Sequence, residues 1–377
     1  MPRRGSSAGK ARWRRAVVVA FIGWTGGTIH AQEFDFPILL PKWDREISFQ
    51  TGAGYRDNVG LSTQSPQASA FILTGLELIL LRLPENGTQF HFFLSGQDLR
   101  FLSSSIVNKE QAVFAQALVK RDFGSGWEGS LGVEYVYQNQ VVDVSITEPG
   151  LTTVPVEGHG IVLRPELRHD FAENFWVSLE LSGRRQFFRL PLDDYWDYGR
   201  RLTLGKSYGS RSEVSFGYQI EERAYDLEEL RTMTGESIPG THRKSLHQEV
   251  RLIWKHYWDT QNHWRTMTKL TARRSEDNGM GYFDYTKLQA GEQILFHTKH
   301  WDISAEARVA RYDYPVQTVP DLAKRQSSEL AFDFRFERRL SGFLKVFAEY
   351  EREQVFSNLD LERYQVNTVK GGLNWTF

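Results

Sequence analysis

Four groups of residues in this chain have types and spacings that invite chemistry. "GKSYG" (Gly205 to Gly209) matches G-x-S-x-G, the pattern that lifts a nucleophilic serine onto a strand-to-helix elbow. The residues before it alternate as a strand does, and no helical periodicity follows, so Ser207 reads as an ordinary strand residue. The ten histidines are scattered, with no HxH or HExxH spacing. His159 and His169 flank one strand, too far apart to share an ion. In "LPLDDYWDYG", Asp193, Asp194 and Asp197 accompany Tyr195, Trp196 and Tyr198. Aromatic faces stack on sugar rings while carboxylates accept from hydroxyls, so Asp193, Asp194, Trp196 and Asp197 are candidate saccharide ligands. The three carboxylates are also candidates for calcium. Turn chemistry and aromatic anchoring account for the same letters.

The fourth group is the largest. Arg164, Glu166, Glu180, Arg184, Arg201, Glu221, Arg223, Glu249, Arg251, Lys269, Arg273, Glu306, Arg308, Asp333 and Arg335 each alternate with apolar neighbours. Rings of charge along a wall sort solutes by sign and size. Opposite charges that pair across neighbouring strands would instead brace that wall. The basic members gather between residues 157 and 275, and the last three segments lean acidic. A basic wall facing an acidic one would set a transverse field across whatever lies between.

The elements that must carry these residues repeat with period two. In "ELAFDFRFER", Leu330, Phe332, Phe334 and Phe336 alternate with Glu329, Ala331, Asp333, Arg335 and Glu337. "WDISAEARVA", "FWVSLELSGR" and "EVSFGYQIEE" behave alike, which places one set on each face of a strand. From residue 45 onward about sixteen such segments follow one another, with fourteen or eighteen left open. Short connections ("PENG", "GSG", "AEN", "GSRS", "TKH", "LSG") alternate with longer ones ("RDNVGLSTQSPQ", "SITEPGLTTVPVEG", "DLEELRTMTGESIPGTHRK"). All tight turns therefore lie at one end of the sheet and the long loops at the other.

A soluble sandwich would need its apolar faces packed inward. A transmembrane barrel turns them to lipid and keeps a polar interior. Dense charge on the polar face, strands longer than soluble sheets use, and aromatics near strand ends all favour the barrel. The expected fold is all-β: a transmembrane up-and-down antiparallel barrel spanning 45–377.

Composition agrees. The chain has 377 residues and no cysteine, so disulfides and a lipid-modified N-terminal Cys are excluded. Arg3, Arg4, Lys10, Arg12, Arg14 and Arg15 precede "AVVVAFIGW" and then small residues, which reads as a secretory signal over 1–31 cut near Ala31, with a short periplasmic lead over 32–44. Without those six residues, 40 basic side chains face 47 acidic ones, which argues against nucleic acid as a partner. The short lead leaves no room for a plug, so a passive conduit is expected, with no cofactor, no metal and no enzymatic role.

"KGGLNWTF" ends the chain with polar Lys370, Gly372, aromatic Trp375 and terminal Phe377. It resembles the C-terminal assembly signal of bacterial outer-membrane barrels. That resemblance implies residence in the outer membrane, contact with outer-membrane lipid and recognition by the barrel-assembly machinery. "GYRDNVGLS" (Gly54 to Ser62) resembles the Tyr-x-Asp-Asn-hydrophobic stretch near the start of the β-barrel porin 2 family. This likeness implies a porin-like conduit for a saccharide or exopolysaccharide. A loop-closed structural or surface-interaction barrel is the alternative. Barrels of this size often form homo-oligomers, although no flat apolar lipid-facing surface stands out in the sequence as a protomer contact.

Overall fold

The computed structural model describes residues 43–145, 153–172 and 174–377. The signal segment 1–31, its cleavage near Ala31 and residues 32–42 of the lead lie outside them. Sixteen strands follow: β1 (Trp43–Arg56), β2 (Ser69–Glu85), β3 (Thr88–Phe101), β4 (Lys109–Gly124), β5 (Trp127–Asp143), β6 (Thr153–Ala172), β7 (Phe175–Phe188) and β8 (Tyr195–Tyr208). They continue as β9 (Ser212–Tyr225), β10 (Lys244–Tyr257), β11 (Trp264–Asp277), β12 (Tyr285–His297), β13 (Trp301–Thr318), β14 (Lys324–Arg339), β15 (Leu344–Ser357) and β16 (Tyr364–Thr376). Each pairs antiparallel with its sequence neighbours, and β16 returns to β1, so the sheet is a closed barrel. Closure matters because an unpaired strand edge cannot be satisfied in lipid.

The period-two pattern becomes an inside and an outside. Along β16, Tyr364, Val366, Thr368 and Asn374 are buried, whereas Val369 and Leu373 between them are exposed. Outward positions elsewhere carry Ile72, Leu76, Leu131, Leu163, Leu179, Leu204, Phe216 and Leu270, all exposed as a lipid-facing band would be. Inward apolar residues gather in small clusters on the wall, such as Phe71, Leu73, Leu99, Phe101 and Phe347 with Val59 and Val107 from the loops.

The seam is tight. Gly52 pairs with Gly372, and a Cβ added at Gly372 would come within 2.1 Å of the Thr51 carbonyl oxygen, so no larger residue fits without moving backbone. Phe347 covers that spot from inside, where its ring edge would lie 2.9 Å from such a Cβ. Outside, Phe49 meets Trp375 with ring centroids 6.0 Å apart. The Phe377 N–H donates to the Ile47 carbonyl at 2.8 Å, which ties the last residue to β1. At the short-turn end, Asn86 and Gly87 both have positive φ (51° and 76°), the geometry of the two-residue hairpin that strand twist favours.

Candidate functional site: the inner wall and its crossing segment

Most of the charged residues picked out by alternation face inward, and many of them meet. Arg164 bonds Glu134 at 2.8 Å, Arg201 reaches Glu180 at 3.3 Å, and Arg223 bonds Asp197 at 2.8 Å with Arg184 at 3.6 Å from the same carboxylate. Glu249 is gripped from two sides, by Arg273 at 2.9 Å and by Arg251 on its own strand. Lower on the opposite wall, Arg335 bonds Glu337 at 2.5 Å and Glu349 at 3.0 Å. Lys345 continues that ladder to Glu337 at 3.3 Å. Lys370 extends it to Glu349 at 3.0 Å and Glu351 at 2.7 Å. Apart from Arg251–Glu249 and Arg335–Glu337, which lie within one strand, these are cross-strand pairs that brace the sheet. Carboxylate oxygens of Asp333, Glu349 and Glu351 lie within 4.8 Å of one another, but the Lys370 ammonium already supplies the cation for both glutamates.

A second set is not neutralised in this way. Among the described residues, Glu166 meets only the Ser130 hydroxyl at 3.5 Å, Glu221 the Gln219 amide at 3.1 Å, and Glu306 the Gln293 amide at 3.1 Å. Glu329 accepts from the Tyr312 hydroxyl at 3.3 Å, and Glu353 from that of Tyr364. Lys269, Arg308 and Asp333 make no ion pair or hydrogen bond among the described residues. The two sets differ in their partners. Arg184, Arg201, Arg223, Arg251 and Arg273 are held by carboxylates, while Glu306, Glu329 and Glu353 are held by neutral groups.

The lumen is crossed. Beyond the end of β5, Val144 and Ser145 are buried, and the Ser145 carbonyl accepts from Arg325 Nη2 at 2.8 Å. Arg325 sits on β14, nearly opposite β5 in the ring of strands. It is 3% exposed and fully engaged: Glu362 at 2.7 Å, Gln317 at 2.8 Å, and the Tyr314 ring with its centroid 4.1 Å away. Glu362 lies in a single 3-10 turn between β15 and β16 and takes a further bond from the Ser357 hydroxyl at 2.8 Å. Burial raises the Glu362 carboxyl above the usual carboxylate range against the pull of Arg325. Such a buried pair is costly to break, since either partner left alone is an uncompensated charge.

This segment stands between two cavities. One, of about 480 Å³, is lined from one side by Arg56, Glu110, Gln140 and Asp143 and from the other by Glu306, Arg308, Glu329, Asp333, Glu351, Glu353 and Tyr364. The other, about 180 Å³, is bounded by Gln138, Val156, Phe188, Asp193, Tyr195, Arg223 and Tyr225. Val142 borders both. The first is rich in carboxylates; the second is smaller and more aromatic.

The loop candidates do not come together as one set. Asp193 accepts from the backbone N–H groups of Leu227 and Glu228 at 2.7 and 2.8 Å, which ties the β9–β10 loop to the β7–β8 loop. Asp194 accepts from the Phe188 N–H at 2.7 Å. Asp197 points inward to Arg223. Trp196 points outward, stacked on Tyr198 with centroids 6.0 Å apart and with Arg185 over its face. Alternation separates Asp197 from Trp196, and loop backbone has claimed Asp193 and Asp194, so neither a calcium cage nor a sugar platform is assembled from these four. His169 stacks outside on Trp127, and His159 on Phe187. Ser207 lies within β8 with no helix after it. Sequence reasoning missed the Ser145–Arg325–Glu362 crossing, because Arg325 reads as one more inward charge near the end of a strand.

No protein-family model matches this sequence, and no curated protein matches it. Solved structures match its shape. OccAB1 of Acinetobacter baumannii is 8% identical, with 89% of this chain and 96% of that chain covered and a TM-score of 0.50. OccK9 (OpdG) of Pseudomonas aeruginosa is 10% identical over 89% and 98%, with a TM-score of 0.47. An anion-selective porin from Comamonas acidovorans is 10% identical over 89% and 99%, with a TM-score of 0.45. At such identities the likeness concerns the fold alone, and that fold is the porin-like barrel of bacterial outer membranes.

Proposed function

We propose that this protein is an outer-membrane channel for polar solutes, with its long loops outside the cell and its filter at the crossing segment. The observation that carries the reading is the 480 Å³ cavity beside that segment, whose carboxylates Glu306, Glu329 and Glu353 are bonded to amides and hydroxyls rather than to cations. Such a wall attracts cations and accepts hydrogen bonds from hydroxyl-rich solutes. Tyr312 and Tyr364 beside Glu329 and Glu353 supply aromatic faces next to acceptors, which is the chemistry a saccharide uses. A saccharide or an exopolysaccharide strand is therefore the solute class favoured for this conduit.

Planar-bilayer recording of the refolded protein tests it. Expected is a steady ionic current with a reversal potential on the cation side in a salt gradient, reduced in steps by added oligosaccharide. A current indifferent to sugar would remove the saccharide and leave the cation-preferring channel. No current from a barrel whose fold is verified would sink the channel reading. The Ser145–Arg325 tie would then favour a closed, structural or surface-binding barrel.

A further inference from the structure

Two charged side chains stand where a lipid-facing surface should have none. Outward positions of β8 run Trp196, Tyr198, Arg200, Leu202, Leu204; those of β12 run Leu288, Ala290, Glu292, Ile294, Phe296. Among the described residues, Arg200 and Glu292 are the only charges with two apolar outward residues on either side along their strands. Other outward charges, such as Asp98, Arg185, Arg274, Arg311 and Arg338, lie nearer the rims, where water or headgroups reach them.

Neither charge meets an opposite charge among the described residues. Arg200 is exposed and has no ion pair or hydrogen bond among the described residues. Among the described residues, Glu292 accepts only from the Thr268 hydroxyl, at 2.5 Å to Oε2. The two cannot reach each other, because β8 and β12 are four strands apart in a ring of sixteen, a quarter turn of the wall.

They do share a level. The hydrogen-bonded row that starts at Trp43 and Arg82, at the short-turn ends of β1 and β2, has climbed to Asp313 and Gln326 near the long-loop ends of β13 and β14. Within it, Arg200, Ile220, Gln248, Arg274 and Thr286 are consecutive neighbours. With strands tilted about 40°, four steps along that row rise about 12 Å. Glu292 lies six residues down β12 from Thr286, a descent of about 15 Å. Arg200 and Glu292 are thus level to within about 3 Å, midway up the apolar band.

Their surroundings are complementary in shape as well as sign. Glu292 sits in a shallow patch made by Thr266 and Thr268 on β11, Ala290 on β12, and Ala305 and Ala307 on β13. Arg200 stands out from a taller wall of leucine and aromatic side chains. Small outward residues let another backbone approach closely in lipid, and a charge there is tolerated when an opposite charge meets it.

We propose that Arg200 of one copy enters the Glu292 patch of a second copy, so that the barrels assemble head to tail through their lipid-facing walls. A head-to-tail contact whose two faces lie a quarter turn apart closes into a ring of four.

The chain has no cysteine, so introduced thiols are the only ones present. An Arg–Glu contact spaces its Cα atoms beyond the roughly 4.4–6.8 Å of a disulfide, so a short bis-maleimide is the reagent. Applied to membranes holding Arg200→Cys/Glu292→Cys, it should give a ladder ending at four copies, whereas either single variant stays monomeric. A double variant that yields no ladder overturns the proposal. So does a single variant that crosslinks to itself, which would mean a two-fold contact; a ladder ending at three would overturn the ring of four. Independently, Arg200→Glu and Glu292→Arg should each give monomers by native mass in mild detergent, and the combined swap should restore the assembly. Heat-modifiable mobility on gels verifies each variant's fold, and a wild-type chain that is monomeric in that measurement also refutes the contact.

Discussion

The arc of β7–β11 and the upper inner wall of β13–β15 are both charged and use their charges in opposite ways. On the first, Asp197 and Glu249 each pair with two arginines, which leaves one positive charge over in each group, and Arg201 is held by Glu180 and Gln219. On the second, Glu329 and Glu353 hold tyrosine hydroxyls, and Asp333 holds nothing among the described residues. A paired charge presents little field to a passing solute, while an unpaired carboxylate in a confined space presents a stronger one. Charge count is therefore a poor guide to selectivity; the partner decides it.

Four measurements would break or sharpen that contrast. The largest effect is expected from Arg325→Met, which frees Ser145 and strands Glu362. Breaking a buried pair in this way costs about 3–5 kcal/mol. Single-channel conductance should rise as the crossing segment is released, whereas Glu362→Gln, which keeps a hydrogen-bond acceptor and removes a negative charge that burial already disfavours, should change it far less. Unchanged conductance in Arg325→Met would show that the segment does not limit flow.

Glu249→Gln should act next, and mainly on stability. It leaves Arg251 and Arg273 without their shared carboxylate, a loss of about 1–3 kcal/mol that the temperature of heat modification would register. Glu329→Gln should do the reverse: the melting behaviour stays near that of the parent, and the reversal potential moves toward anions. Equal shifts in both quantities for the two variants would erase the distinction between the arcs. The smallest effect is expected from Tyr364→Phe, which removes one hydroxyl from Glu353 and costs about 1 kcal/mol. It should make the cavity slightly more cation-preferring, measurable as the same reversal potential moving the other way.

Much of this molecule is legible in its letters. Period-two alternation, the succession of short and longer connections and the aromatics near strand ends give about sixteen antiparallel strands with fourteen or eighteen left open, and sheet closure follows because lipid tolerates no free edge. The inward placement of Arg223, Glu249 and Arg335 follows from the same period. So does the outward placement of Arg200 and Glu292, whose signal is a charge standing at an apolar step of the alternation. What alternation cannot say is who meets whom. Pairing of Arg273 with Glu249 depends on the register between β10 and β11, which is fixed by the whole set of hydrogen bonds along both strands. The tie between Ser145 and Arg325 joins residues 180 apart in sequence, and only a barrel closed through all sixteen strands brings them together. Local pattern determined which face each side chain takes, because a strand has only two. Tertiary structure decided which charges are neutralised and where the lumen is crossed, because those depend on distances that exist only after closure.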